Sequence, residues 1–330
     1  MNQPLLDVQA LRKFFEVKRG FPNPRTLTVR ALDRVSFRVA QGESFGLVGE
    51  SGCGKSTAGR TLLRLLEPDG GRVLFQGEDL LGASPRDLRR LRRKLQIVFQ
   101  DPYSSLNPRR MIGKALAEPM KVHGLARGRA LTERVAALLD EVGLPVDAMY
   151  RFPHEFSGGQ RQRLGIARAL SVEPLLIVAD EPVSALDVSI QSQILLLLKK
   201  LQAEHGLSFL FISHDLGVVR YFCQRMAVMY LGRIVEEGPI PDIYEAPLHP
   251  YTRMLRDASP VPDPANRVAF NRIQGEVPSA VSPPPGCYFH PRCPQAMEHC
   301  KTEYPAWREV EGRGVACHLY PASSGATGEQ

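Results

Sequence analysis

Three apolar runs stand out along the chain: Phe45-Gly46-Leu47-Val48, Leu175-Leu176-Ile177-Val178-Ala179 and Phe209-Leu210-Phe211-Ile212. Unbroken runs of this length read as strands buried on both faces, the habit of a parallel sheet. Stretches with helical spacing alternate with them. Thr57 to Leu66, the segment through Leu164, Ala167 and Leu170, and residues 188 to 203 each read as a helix. Strand alternating with helix predicts an α/β fold. Around this frame, Leu5 to Val8 and Leu27 to Val39 read as strands flanking a loop with Gly20, Pro22 and Pro24, and Phe15 is expected at the end of the first strand. Val73 to Phe75 and Leu95 to Phe99 are further strands, the latter ending in the turn Gln100-Asp101-Pro102. Ile112 to Val142 is helical in period throughout and reads as an inserted helical lobe, and Arg225 to Val235 gives two short strands around Gly232. Beyond Gly238 periodicity fades, and Pro260, Pro262, Pro264, Pro278 and Pro283 to Pro285 mark a loop-rich extension. Pro321 to Gln330 reads as a disordered tail.

At 330 residues and 43% hydrophobic content, the chain can build one large domain with an appendage, or two domains. No apolar run reaches the roughly 18 residues of a membrane span. Met1 to Ala10 carries Asp7 and no secretion-signal pattern, so the expected compartment is the cytosol. A net charge of +7 permits contact with nucleic acid or an anionic membrane face. The densest basic run, Arg86 to Lys94, has Leu88, Leu91 and Leu95 at helical spacing and no interleaved aromatics, which favours a solvated amphipathic helix over a nucleic-acid patch.

The chemistry gathers where strands end. Gly49-Glu50-Ser51-Gly52-Cys53-Gly54-Lys55-Ser56-Thr57 matches the full phosphate-loop pattern, between a predicted strand and a predicted helix. Its glycines let successive backbone N–H groups point at one anion, Lys55 suits β- and γ-phosphates, and the Ser56 hydroxyl suits Mg²⁺. Asp180 and Glu181 close a buried strand: Asp180 can hold Mg²⁺ through water, and Glu181 can polarise an attacking water. Gln100 sits at another strand's carboxyl end, where open α/β sheets place ligands. Ser157-Gly158-Gly159-Gln160 has capping-box spacing and can serve as a second anion site. Asp215 is the better cap for the helix after it, which frees His214 to reach a γ-phosphate. Phe15 can stack on an adenine, with Phe14 chemically equivalent. Of six cysteines, Cys53 lies in the phosphate loop and Cys223 in an expected helix. Cys287, Cys293, Cys300 and Cys317 cluster near the end and could bind zinc or a four-iron cluster, with His290, His299 and His318 keeping mixed zinc ligation open.

Taken in order, the phosphate loop, Gln100, Phe156-Ser157-Gly158-Gly159-Gln160, Asp180-Glu181, Ser184-Ala185-Leu186-Asp187 and His214 resemble the ATP-binding subunits of ABC transporters over about residues 5 to 245. Gln100-Asp101-Pro102-Tyr103-Ser104-Ser105-Leu106-Asn107-Pro108, Leu248-His249-Pro250-Tyr251-Thr252 and the terminal cysteines resemble the dipeptide/oligopeptide importer subfamily, more its second, partner ATPase than its first. The resemblance implies a P-loop NTPase with a RecA-like core, an antiparallel β-subdomain and a helical subdomain at about 105–172, all within an ATPase domain 1–245. A cysteine-containing extension, 246–330, follows. It implies hydrolysis of ATP with Mg²⁺ held by Ser56, Gln100 and Asp180, and catalysis by Glu181, His214 and Gln100. Phe15 would stack on adenine, and Ser184 to Asp187 would form the D-loop. The implied dimer is head to tail, with Ser157 to Gln160 of one subunit covering ATP on the other, and Gln100 reporting hydrolysis to two permease subunits docked on the helical lobe. The partner ATPase would be a paralogue, with a homodimer also open. A solute-binding protein would take part indirectly, and no nucleic acid is expected. The place implied is the cytoplasmic face of the plasma membrane and the cargo short peptides. Nickel, a sugar or another solute is the alternative, as is a soluble ABC ATPase acting on nucleic acid. In the subfamily the cysteines are associated with a [4Fe-4S] cluster, which places iron–sulfur ahead of Zn²⁺, with bare thiols third.

Overall fold

The computed structural model describes residues 3–20, 25–101, 106–258 and 275–320. The expectations for Pro22, Pro24, Pro102-Tyr103-Ser104-Ser105, Pro260, Pro262, Pro264 and residues 321–330 lie outside the described residues.

The chain opens with an antiparallel pair, β1 (Leu6–Arg19) and β2 (Arg25–Val39). The expected first strand, Leu5 to Val8, is only the start of β1, and Phe15 lies inside the strand rather than at its end. Register shifts between Val8 and Leu11, Leu11 and Lys13, and Lys13 and Phe14 break the two-residue alternation by which a strand is read. Next come β3 (Ser44–Val48), α1 (Lys55–Leu62), β4 (Gly70–Phe75), β5 (Glu78–Asp79), α2 (Pro85–Lys94) and β6 (Leu95–Val98). The basic run does form the amphipathic helix α2. Ser84 caps it by accepting the Asp87 N–H, Arg92, Arg93 and Lys94 sit at the negative end of its dipole, and Leu91 is buried.

The long helical stretch divides into α3 (Ile112–Val122) and α4 (Gly128–Glu141), separated near Gly124, whose φ is +69°. Then follow α5 (Gly158–Leu170), β7 (Leu176–Asp180), α6 (Val188–His205), β8 (Ser208–Ser213), α7 (Leu216–Phe222), β9 (Arg225–Tyr230) and β10 (Arg233–Pro239). Cys223 caps α7 rather than sitting within it. The extension is more structured than its sequence suggests, with α8 (Ile240–Glu245), α9 (Pro250–Asp257), β11 (Arg308–Val310) and β12 (Arg313–Val315). Elements of three to eight residues are too short to write a period into a sequence.

Two sheets result, one ordered β2-β1-β4-β5 and the other β11-β12-β10-β9-β3-β8-β7-β6. β3 runs parallel to β8 and β9, and β7 runs parallel to β8 and β6. Registers Val48↔Ser213 and Asp180↔Ile212 bring the carboxyl ends of three strands side by side. Every residue of β3, β7 and β8 is buried, which is why their sequences are unbroken apolar runs. One core fills the space between the sheets, where Phe37 and Phe45 stack at 5.2 Å. The other joins the large sheet to α3, α4, α5 and α6 and takes in Tyr251, Tyr288 and Phe289 of the extension.

Candidate nucleotide site

The phosphate loop links β3 to α1 and is shaped by glycines that no other residue could replace. A Cβ at Gly49 would lie 2.2 Å from the Met229 carbonyl oxygen, and one at Gly54 (φ +110°) 2.2 Å from that of Ala31. Lys55 Nζ donates to the carbonyls of Gly49 and Glu50 at 2.7 and 2.9 Å. Glu50, Ser51, Gly52 and Gly54 to Thr57 line a cleft of about 880 Å³, within the range of small-ligand sites. Gly49 and Cys53 are not among its lining residues, and burial pushes the pKa of the Cys53 thiol up against the lowering effect of Lys55.

Ser56 Oγ donates to Asp180 Oδ1 at 2.7 Å. The other oxygen, Asp180 Oδ2, is buried and has no hydrogen-bond partner among the described residues. Burial raises the Asp180 pKa against the opposing Ser56 hydrogen bond. A carboxylate oxygen left bare beside a serine hydroxyl fits a divalent cation, whose charge would hold the group ionised.

Also lining the cleft, Gln100 Nε2 donates to Glu181 Oε2 at 2.9 Å and His214 Nδ1 lies 3.3 Å from the same oxygen. Three residues from the ends of β6, β7 and β8 thus meet on one carboxylate. The chain turns sharply there: Glu181 has φ +46°, held by its N–H donating to Ile212 O at 3.0 Å, a strained backbone of the kind found at reactive sites. Asp215 accepts from Gly217 and Val218 N–H and caps α7, leaving His214 half exposed beside the cleft.

Phe15, Val29 and Ala31 give the cleft an apolar lining, with Leu255 and Ala280 from the extension. Phe14, on the other face of the strand, is not part of it. Sequence reasoning missed Leu255 and Ala280, which lie in stretches with no motif.

Ser157 to Gln160 lie outside the cleft. They form the predicted capping box, with Ser157 Oγ accepting the Gln160 N–H and Gln160 Oε1 accepting the Ser157 N–H at 3.0 Å. Gly158 packs under Leu186, and a Cβ at Gly159 would lie 2.6 Å from Ile190 Cγ2. Ser184 and Ala185 reach the cleft edge, while Leu186 and Asp187 lead into α6.

Cys287, Cys293, Cys300 and Cys317 line one small cavity together with His290 and His318. Burial pushes the thiol of Cys287 up to about 12 and that of Cys317 up to about 11. Among the described residues no three of these possible ligand atoms lie within 4.8 Å of one another. A single tetrahedral zinc, with bonds of about 2.3 Å, needs sulfurs closer than that. His290 Nδ1 lies 2.9 Å from Cys287 O and His318 Nε2 2.9 Å from Glu303 O, so both rings are engaged by the backbone.

Comparison with known proteins agrees with this geometry. Residues 32–184 match the family described as ABC transporter, and residues 235–300 match the oligopeptide/dipeptide transporter C-terminal region. The chain is 50% identical to a probable peptide ABC transporter ATP-binding protein, y4tS, of Sinorhizobium fredii, over 99% of this chain and 93% of that one. It is 48% identical to the oligopeptide transport ATP-binding protein AppF of Bacillus subtilis, over 97% and 98%. The ATP-binding cassette MJ0796, solved as a dimer with ADP and phosphate, superposes with a TM-score of 0.61 at 29% identity, covering 71% of this chain and 98% of that one. The expected P-loop NTPase fold, with its antiparallel sheet and helical insertion, is therefore that of an ABC cassette. From the shape of its phosphate loop to its cysteine-bearing end, the chain belongs to the ATP-binding proteins of ABC transporters.

Proposed function

We propose that this protein hydrolyses ATP to drive uptake of di- and oligopeptides through two membrane permease subunits, working at the cytoplasmic face of the membrane beside a paralogous ATPase. The names of its relatives and its oligopeptide/dipeptide C-terminal region support the cargo. Among the described residues, no helix is long and apolar enough to cross a membrane, in keeping with a subunit that docks on permeases.

The observation that carries the mechanism is the convergence of Gln100 and His214 on Glu181 in the cleft that Lys55 and Ser56 also line. Glu181 accepts the proton of the water that attacks the γ-phosphate, while Gln100 and His214 hold its carboxylate in place. Lys55 leaves its backbone carbonyls for the β- and γ-phosphates, and Phe15 stacks on the adenine. Ser56, Asp180 and Gln100 would hold Mg²⁺, which neutralises phosphate charge. Ser157 to Gln160, which lie outside the cleft of their own chain, cover the nucleotide of a partner in this reading, with Ser184 to Asp187 beside them. Residues 1–245 form the ATPase domain in this reading, with the helical part at about 105–172 facing the permeases, and 246–330 form the extension. Its four cysteines, too widely spaced for one zinc, suit a cuboidal [4Fe-4S] cluster with a structural role.

Glu181→Gln removes the base but keeps a group that Gln100 and His214 can hold. In the assembled transporter it should bind ATP as the parent does and lose at least about 100-fold in turnover. Ordinary hydrolysis by this variant would overturn the role given to Glu181.

A further inference from the structure

The extension holds the phosphate loop through Arg292 and Tyr251. The Arg292 guanidinium forms a two-pronged pair with the Glu50 carboxylate, Nη1 to Oε2 at 2.7 Å and Nη2 to Oε1 at 2.9 Å. The arginine side chain is 3% exposed and that of Glu50 is 21% exposed, so the pair is largely shielded from water. Losing one partner of such a pair leaves the other charge uncompensated. Tyr251 Oη accepts the Glu50 N–H at 2.9 Å, which fixes the backbone as well as the side chain. Tyr230, Tyr251 and Phe289 pack against one another around this junction, with ring centroids 4.7 to 5.4 Å apart.

Arg292 is held in turn by the cysteine-bearing segment. It ends the single turn His290–Arg292, in which His290 N–H donates to Cys287 O at 3.0 Å and Cys293 N–H to His290 O at 3.3 Å. The turn between two of the clustered thiols and the loop that takes the triphosphate therefore share one ion pair. The charge matters as much as the geometry. Glu50 lies in a loop that must receive a polyanion, and without a counter-charge its carboxylate would repel the ligand.

We propose that Arg292 is a positioning residue for ATP, which neutralises Glu50 and holds the phosphate loop in shape, and thereby ties nucleotide affinity to the cysteine-rich turn. The inference rests on the cleft's being the ATP site.

The test is titration of the full-length chain with the fluorescent triphosphate mant-ATP and Mg²⁺. Arg292→Met should raise Kd roughly ten-fold, and Arg292→Lys, which keeps the charge but loses the fork, roughly three-fold. Adding Glu50→Gln to Arg292→Met removes the unpaired negative charge and should bring Kd back to within about three-fold of the parent. A role in global folding alone would lower the fraction of chains that bind mant-ATP and leave the Kd of the folded ones unchanged. Glu298→Ala, which removes an exposed pair with Lys301 in the same extension, should leave Kd unchanged. Cys293→Ser should raise Kd in the parent and add nothing in Arg292→Met. If Arg292→Met fails to fold, Arg292→Lys decides. An unchanged Kd in a folded Arg292 variant, or a double variant no tighter than Arg292→Met, overturns the proposal. Independent or absent effects of Cys293→Ser overturn its link to the turn. Failure of the parent itself to bind mant-ATP would instead overturn the assignment of the ATP site.

Discussion

His249 caps α9 with a ring nitrogen rather than an oxygen. Its Nδ1 accepts the Tyr251 N–H at 3.1 Å, so the imidazole must be neutral, and burial, helped by Arg253, pushes its pKa down to about 3. In the unfolded chain a histidine titrates near about 6.5. Below that pH the unfolded chain binds a proton that the folded one refuses, so stability falls as the solution is acidified, by up to about 1.4 kcal/mol per pH unit. His249→Asn keeps an acceptor for the cap and should flatten this decline in urea unfolding between about pH 6.5 and 5. A decline as steep as the parent's would remove His249 from the account. Its part in the fold was hidden, because a histidine before a proline says nothing about burial. Glu236 is similar: it looks like a surface residue of a strand, yet it is buried and accepts the N–H groups of Leu248 and His249 at 2.8 and 2.9 Å. Lys55, Ser56, Asp180 and Glu181 were legible for the opposite reason, since phosphate and metal chemistry dictates both residue type and position at strand ends.

Helix α5 shows what an element declares about itself and what it withholds. Ser157 and Gln160 announce its start through the capping box, and the structure has that box. The partner proposed for its first turn is not written in the same way. Ser157→Arg should cost the helix its cap, about 1 kcal/mol, while its buried residues Leu164, Ile166, Ala167 and Leu170 keep it in place. In the proposed head-to-tail dimer the guanidinium would occupy the space of another subunit's triphosphate. ATP-dependent pairing through this face, measured by light scattering in a Glu181→Gln background, should disappear. Pairing equal to the parent's would sink the head-to-tail arrangement. β1 was the least legible element, because its bulges disguise a fourteen-residue strand as a short one.

On the scale of the molecule, the extension completes the large sheet. β12 pairs with β10 through Glu236↔Val315 and Glu237↔Gly314, and Arg313 Nη1 binds the carbonyls of Asp242 and Ala246 at 2.9 and 2.6 Å. The sequence showed the four cysteines but not the strands that carry the chain between them and the sheet, since each is three residues long. If the thiols hold an iron–sulfur cluster, protein purified without oxygen should absorb broadly in the visible and carry about four iron atoms per chain. Stoichiometric zinc in a colourless protein would overturn that choice. The strand order carries a further cost in time. Among the described residues β3, which leads into the phosphate loop, has only β8 and β9 as neighbours, so Ser44 must wait for Phe209 before its strand can pair. At about 5–20 residues per second, a ribosome leaves this apolar strand single for on the order of ten seconds. The window for misassembly thus opens early in synthesis, and slower translation of the helical lobe would hold it open longer.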